Sequence, residues 1–108
     1  MEAINFVNLT PHDIKVVGFG NLWAVRGRVA RVATNRCEIG GIDGVRLVSQ
    51  TFGSVEGLPA PVQGTVYIVS ALVLSALAGS RRDVVAPDTG ADAVRENGQI
   101  VAVRGFVC

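Results

Sequence analysis

One stretch constrains the fold of this chain more than any other: residues 65–90, with the sequence TVYIVSALVLSALAGSRRDVVAPDTG. It opens with a β-branched and aromatic run, residues 65–69, which predicts a strand. Ser70 then suits the N-cap of a helix, and Gly79 is a typical C-terminal stop. Because the intervening residues are apolar on nearly every side, we expect a helix over residues 70–79 that other elements bury.

Tight-turn signals divide the rest of the chain into short strands. Candidate hairpins flank a glycine turn at residues 18–21, Asp43-Gly44 and Asn97-Gly98, since Asp-Gly and Asn-Gly supply the positive φ angles of a tight hairpin. Residues 57–64 contain two prolines and predict an irregular loop. Seven or eight short strands and one helix predict an α+β, β-rich domain: a mostly antiparallel curled sheet, or a small barrel, around the helix.

One strand prediction leaves its orientation open. Residues 29–39 are rich in β-branched side chains, but both alternating faces also carry polar ones, among them Arg31, Asn35 and Arg36. A strand with one face in the core normally segregates the two kinds of side chain. The pattern therefore predicts a strand without saying which face is buried.

Composition bounds the size and the partners of the protein. A length of 108 residues predicts a single domain over residues 1–108. Hydrophobic residues make up 49% of the chain and charged residues 18%. So apolar a mixture requires either a generous core or a surface covered by another copy, and we expect a homo-oligomer. A net charge of +1 argues against a nucleic-acid partner.

The few cysteine and histidine residues exclude other classes. Cys37 and Cys108 do not make a disulfide framework, and with a single His the chain offers no plausible zinc site, so we expect neither metal nor cofactor. The start of the chain lacks a basic-then-apolar secretion pattern. The apolar run over residues 66–78 is shorter than the roughly 20 residues of a membrane span. We therefore expect a cytoplasmic protein without a membrane partner.

The first candidate site lies around the helix. Nine of the ten basic residues are Arg, whose planar fork suits phosphate, although a GC-rich genome explains the same bias. Arg81 and Arg82 are expected to share a pocket with the turn at Asp88 and Thr89, which offers groups for a ribose. Arg95 is expected to add a phosphate contact, with Tyr67 or Phe52 stacking on a base. The alternative is that Arg81 complements the helix C-terminus and pairs locally with Asp83.

The second candidate site is the segment that follows the first predicted strand. Asn8, Thr10, His12 and Asp13 place an amide, a hydroxyl, an imidazole and a carboxylate within six residues. In this arrangement Asp13 orients His12, the one general base of the chain near neutral pH. The alternative is a polar turn in which these side chains bond nearby backbone and His12 is exposed.

Signatures of catalysis are missing from the sequence. It has no nucleophile elbow, no phosphate-cradling P-loop and no GxGxxG fingerprint, so we do not expect an enzyme. Among the aromatic residues, Phe19 and Trp23 lie near a predicted hairpin tip and are expected to be exposed. An oligomer interface explains such exposure as well as a ligand does.

Several motifs in fixed order carry a resemblance to a known family. They are Asn8-Leu-Thr-Pro-His12, Phe52-Gly53 leading to Val55-Glu-Gly-Leu-Pro59, Val66-Tyr-Ile-Val-Ser70, Asp83-Val-Val-Ala-Pro-Asp-Thr89, and Val94-Arg95 before a closing hairpin. Over residues 4–106 the chain resembles a family of small phage and prophage proteins of uncharacterised activity. The resemblance implies a small accessory protein that acts inside a bacterial host cell.

Small phage proteins of this size include sponges that sequester the nucleotide signals of bacterial immunity. By analogy of context, we expect an anti-defence protein that binds a cyclic nucleotide or an ADP-ribose derivative without catalysis. A protein-interaction or virion-associated structural module is the alternative, followed by an enzyme acting on a small phosphorylated molecule. A polar pocket with several Arg favours the sponge, whereas an exposed apolar surface without them favours the module.

Overall fold

A computed structural model describes residues 4–25 and 27–108, and within these ranges the chain forms ten strands and one helix. The elements in chain order are β1 (Asn5–Asn8), β2 (Ile14–Val16), β3 (Gly20–Leu22), β4 (Arg31–Ile42), β5 (Val45–Glu56), β6 (Thr65–Ile68), α1 (Ala71–Leu77), β7 (Val84–Pro87), β8 (Val94–Glu96), β9 (Gln99–Ala102) and β10 (Phe106–Val107).

The core forms around a four-stranded sheet with the order β1-β6-β7-β10. β6 runs parallel to both β1 and β7, and β10 closes the sheet in the antiparallel direction. Tyr67 and Ile68, at the end of β6, are 4% and 0% exposed. Because successive strand residues point to opposite faces, both faces of this strand are covered. That burial explains the apolar run that opens the central stretch of the sequence.

Helix α1 begins where the sequence predicts, but its C-cap is Ala78, one residue before the predicted stop at Gly79. The hydroxyl of Ser70 accepts a hydrogen bond from the backbone N–H of Val73, and Ala78 is left-handed with φ of 51°. The expectation of a buried helix is wrong, however. Val73 is its one buried residue, and Leu72 is 44% exposed. A two-turn helix lying on one face of a sheet has only one side to bury, and its other side faces water.

The core cluster fills the space between α1 and the sheet. Its buried members are Leu9, Ala30, Tyr67, Val69, Val73 and Val84. Partly buried apolar residues from β1, from the base of β4 and β5, and from the helix itself complete this layer. No helix in the described ranges is long and apolar enough to cross a bilayer.

The predicted hairpins are present. β2 pairs with β3, β4 with β5 and β8 with β9, all antiparallel. Asn97 and Gly98 have φ of 51° and 79°, as a tight turn between β8 and β9 requires. The first and last of these hairpins meet where the backbone N–H of Val103 donates to Lys15 and its carbonyl accepts from Val17.

The β-rich α+β class is thus confirmed. The closed barrel that was one form of this prediction is not formed by the strands of the described ranges. The central sheet also differs from a mostly antiparallel one, since two of its three strand pairs are parallel.

The β4–β5 hairpin forms a long arm. Each strand has twelve residues, joined by Asp43 and Gly44 with φ of 49° and 80°. Only the base of the arm reaches the core, where Val32 and Val55 pack against the cluster. Nearly every other residue of both strands is exposed. Residues 33–53 therefore extend as a two-stranded ribbon beyond the rest of the described chain, which we call the body.

The two faces of this arm differ in charge. Cross-strand partners share a face, so the register assigns the paired residues. Ala33 and Gly53 lie at a register shift and share a face, because a Cβ at Gly53 would meet the Cβ of Ala33 at 3.5 Å. Ile39 and Ser54 also lie at register shifts and are not assigned to a face. The face that continues from Val32 and Val55, here called the inner face, carries Arg36, Glu38 and Arg46. The other, the outer face, is uncharged between its base and its tip and consists of Ala33, Asn35, Cys37, Gly40, Ile42, Val45, Leu47, Ser49, Thr51 and Gly53.

Candidate functional site

A pocket of about 400 Å³ opens at one edge of the central sheet; we call it the strand-end pocket. Because β1, β6 and β7 are parallel, their carboxyl ends meet at this edge, as in open α/β sheets that bind ligands there. The segments that leave these strands form three of its walls, and the end of β9 forms the fourth. The lining comprises residues 10–15, Ser70, Ala71, Pro87, Thr89 and residues 100–103.

Most of the pocket wall is apolar, with a small number of polar side chains. Ile14, Pro87 and Ile100 contribute apolar surface, and among the described lining residues Lys15 is the one permanent positive charge and Asp13 the one carboxylate. Within the described part of the chain, the side chains of His12, Lys15 and Thr89 form no hydrogen bond to protein groups. Their donors are therefore available to a bound molecule.

The loop beneath the pocket is held by Asn8, which is 1% exposed. Its amide NH2 donates to the carbonyls of His12 and Leu22, both at 2.9 Å. Its amide oxygen accepts from the backbone N–H of Thr10 at 3.0 Å and from the Thr10 hydroxyl at 2.7 Å. Asn8 and Thr10, both predicted to bind a ligand, are thus already bonded within the chain. They position the loop, and only Thr10 also lines the pocket.

The proposed partnership of Asp13 with His12 is not formed. The carboxylate of Asp13 accepts from the backbone N–H of Ala24 at 2.7 Å, and His12 is exposed. Asp13 therefore fixes the chain after β3 and does not orient an imidazole. This is the polar-turn alternative, with His12 left at the mouth of the pocket.

Arg81 and Asp83 form a local ion pair just before β7, at the opposite end of this strand from the pocket. The guanidinium donates to both carboxylate oxygens at 2.8 Å and to the carbonyl of Pro59 at 3.0 Å. This hydrogen bonding lowers the pKa of Asp83 and raises the pKa of Arg81. The bond to Pro59 ties the segment before β7 to the loop at residues 57–64. The pairing with Asp83 agrees with the local alternative drawn from the sequence, whereas the carbonyl that Arg81 bonds belongs to this loop and not to the helix C-terminus.

The predicted arginine pocket is not formed, because β7 separates its members. Arg81 and Arg82 precede this strand, whereas Asp88 and Thr89 follow it. The distance between the two ends is roughly 20 Å for an extended segment of this length. Thr89 lines the strand-end pocket, and neither arginine does.

The remaining predicted contacts are used within the fold. Asp88 accepts a hydrogen bond from the N–H of Gly90, and Arg95 donates to the carbonyls of Thr89 and Ala93. Tyr67 is buried, and its hydroxyl donates to the carbonyl of Ala60 at 3.3 Å, so its ring is not available for stacking. Of the nine predicted binding residues, the pocket brings together three: Thr10, His12 and Thr89.

Sequence reasoning missed Lys15 and the wall from β9. Lys15 is the single Lys of the chain and lies just beyond the polar segment that the sequence singled out. That isolation was a usable signal, but the abundance of arginine pointed to Arg81, Arg82 and Arg95 as the phosphate ligands. Residues 100–103 gave no signal, because an alternating strand does not reveal what it faces.

Comparison of the chain with protein-family models, curated proteins and solved structures returned no match. Within the described ranges there is also no cluster of three or more His, Cys, Asp or Glu side chains suited to a metal ion. Cys37 and Cys108 are both unpaired thiols on the surface.

Proposed function

We propose that the protein binds and sequesters a small phosphorylated nucleotide in the strand-end pocket, without catalysing a reaction on it. The observation that carries this proposal is the composition of the pocket wall: mostly apolar, with Lys15, His12 and Thr89 offering unused donors. Its volume of about 400 Å³ lies within the range of small-molecule sites. This combination suits a ligand with one flat apolar part and one anionic part.

Each part of a nucleotide has a counterpart in the lining. A base packs against the apolar surface of Ile14, Pro87 and Ile100. The Lys15 ammonium and the His12 imidazole donate to a phosphate, and the Thr89 hydroxyl bonds a ribose. The resemblance to small phage proteins favours a nucleotide signal of bacterial immunity as the ligand, with the host cytoplasm as the place of action.

Titration calorimetry with cyclic nucleotides and ADP-ribose isomers tests this proposal. Lys15→Ala is expected to weaken binding by about tenfold or more, because a hydrogen bond to a charged group contributes roughly 1.5–3 kcal/mol. Arg82→Ala is the matched control, an exposed cation outside the pocket that is expected to leave the affinity unchanged.

The outcomes of this experiment are distinct. Binding no tighter than millimolar across the panel contradicts the function. Tight binding that is lost in Arg82→Ala and kept in Lys15→Ala contradicts the site but not the function. Ligand recovered intact after heat denaturation distinguishes a sponge from an enzyme, which returns product.

The arm favours a second candidate function, a protein-interaction or virion-associated structural module. Ile42 and Val45 at its tip are 61% and 68% exposed, and as cross-strand partners they form one contiguous apolar patch. A module of this kind uses the arm and has no need of a nucleotide. Failure of the whole ligand panel, together with self-association through the arm, supports this candidate.

A further inference from the structure

The arm lacks the support that a two-stranded ribbon normally needs. An isolated hairpin is marginally stable in water, and it usually gains stability from further strands or from packing on a helix. Beyond Val32 and Val55 the arm has no such support from the described residues of the body. Its outer edges and its outer face are open along a length of about 30 Å, at roughly 3.3 Å per residue.

The outer face has the composition of a packing surface. The charged residues between base and tip all lie on the inner face, although both faces are exposed to water. Alternation alone does not sort charge in this way when both sides meet solvent, because each side is then equally suited to charged residues. An uncharged face with Leu47, Val45 and Ile42 at its distal end indicates burial against another surface.

Side-chain size along this face points to its occupant. The distal half carries Ile42, Val45 and Leu47 with Gly40, the proximal half carries Ala33 and Gly53 with Asn35 and Thr51, and Cys37 with Ser49 marks the middle. When two such faces stack with opposite strand directions, the large half of each lies over the small half of the other. Facing large and small side chains interdigitate, as they do in packed cores.

Charge at the two ends agrees with the same arrangement. Asp43 lies at the tip and Arg31 at the base, each about 17–20 Å from Cys37 at strand rise. The base also carries Glu56, the cross-strand partner of Arg31. A two-fold axis that stacks the arms antiparallel places β4 of one copy over β4 of the other, and therefore brings Asp43 closer to Arg31 of β4 than to Glu56 of β5. A two-fold contact repeats each such pair, which makes the surface self-complementary.

We propose that two copies of this chain associate through the outer faces of their arms, stacked antiparallel about a two-fold axis near Cys37. The face is about 30 Å long and 10 Å wide, giving a footprint of about 300 Å² per copy, below that of standard stable interfaces. The dimer therefore dissociates in the micromolar range or above. This association is independent of nucleotide binding, because the strand-end pocket contains no arm residue.

Sedimentation velocity from micromolar to sub-millimolar concentration tests the proposal on the full chain. Wild type is expected to shift from monomer to dimer with concentration. Leu47→Asp, on the outer face, is expected to weaken dimerisation by at least about tenfold, because a buried unpaired charge is strongly unfavourable. Val48→Asp, its neighbour on the inner face, is expected to keep the dimer. Circular dichroism checks that both variants fold.

Cross-linking gives a second measurement that needs no change in the face itself. In a Cys108→Ser background, a short bis-maleimide is expected to join two copies through Cys37, since the axis brings these thiols together. In a Cys37→Ser background, Cys108 is expected to give no covalent dimer. A strict monomer at every concentration, a dimer indifferent to Leu47→Asp, or cross-linking through Cys108 alone overturns the proposal.

Discussion

At the scale of single residues, Asn8 shows how a polar side chain can organise a binding edge without touching a ligand. It is buried and satisfies four hydrogen-bonding groups in two segments of the chain, the loop at residues 10–12 and Leu22 of β3. The loop that carries His12 into the pocket wall, and that leads into β2 with Lys15, therefore depends on one amide. An amide of this kind specifies a conformation, because any other conformation of the loop leaves buried polar groups without a hydrogen bond, which is costly.

Asn8→Ala is expected to lower the free energy of unfolding by about 3 kcal/mol, since it leaves buried carbonyls and the Thr10 hydroxyl with fewer partners. Urea denaturation followed by fluorescence of Trp23 measures the change. Asn5→Ala, an exposed asparagine on the same strand, is the matched control and is expected to cost less than about 0.5 kcal/mol. Equal losses in the two variants contradict this account of Asn8.

The residues around Asn8 also show how much of the candidate site can be predicted from the sequence. The polar segment at Asn8, Thr10 and His12 was located correctly at a strand end, and it does border the pocket. Which of these side chains turns inward is decided by distant backbone, such as the carbonyl of Leu22, and local spacing carries no information about that. Arg81 was predicted to bind a ligand but pairs with Asp83, for a related reason. A cation two residues from a carboxylate in the sequence can form a local ion pair, and its donors are then no longer free for a ligand.

The Arg81–Asp83 pair predicts a dependence of stability on pH. Hydrogen bonding from Arg81 lowers the pKa of Asp83 in the folded protein, so the stabilisation is complete above the unfolded pKa of about 3.9. It is lost as the pH falls through the folded pKa. Asp83→Asn is therefore expected to melt below wild type at neutral pH, with a difference that shrinks in acid.

Thermal melts of both proteins from neutral pH to about pH 2.5 measure this convergence. Asp92→Asn, an exposed aspartate in the turn before β8, is the control and is expected to differ little from wild type at any pH. The pair is only about one-fifth exposed, so solvent screening reduces but does not remove the effect. A difference that stays constant down to acid pH contradicts the ion-pair interpretation.

At the scale of elements, the signals that succeeded are local ones. Ser70 caps the helix, and Asn97-Gly98 closes a hairpin, because these residue types satisfy nearby backbone directly. The parallel pairing of β1 with β6 joins residues sixty positions apart, such as Asn5 and Thr65. No turn residue encodes such a pairing, so a mostly antiparallel sheet was predicted.

Gly57 tests the junction between the arm and the body. It has φ of +81°, and a Cβ at this position meets the carbonyl oxygen of Val29 at 2.7 Å. Gly57→Ala is expected to cost about 2 kcal/mol of stability, from left-handed strain and displaced backbone. Gly105→Ala, where a Cβ meets open space, is the matched control. Chemical denaturation compares the two, and a loss no greater for Gly57→Ala than for the control contradicts the tight junction.

At the scale of the whole molecule, the arm sets the shape. The radius of gyration is 16.3 Å and the longest dimension is 56 Å. A compact chain of this length has a radius of about 13 Å. The larger radius reflects an arm with water on both faces. This explains why the sequence of residues 29–39 does not say which face is buried: a strand exposed on both faces needs no apolar side within its own chain.

Shortening the arm separates its role from that of the body. Replacing residues 36–50 by Asn-Gly joins Asn35 to Thr51, which already face each other across the ribbon, through a tight hairpin turn. Val32 and Val55 remain, and they are the residues by which the arm reaches the core cluster. We therefore expect the shortened protein to melt within a few degrees of wild type and to bind its ligand unchanged.

Self-association is the property that the shortened protein is expected to lose, because the deletion removes Ile42, Val45 and Leu47 while leaving the strand-end pocket intact. Calorimetry and sedimentation on the same preparation measure the two properties together. The control is Val48→Asp, which keeps the full arm, changes only its inner face and is expected to keep the dimer. A shortened protein that fails to fold shows that the arm stabilises the body, and one that still dimerises assigns the interface to another surface.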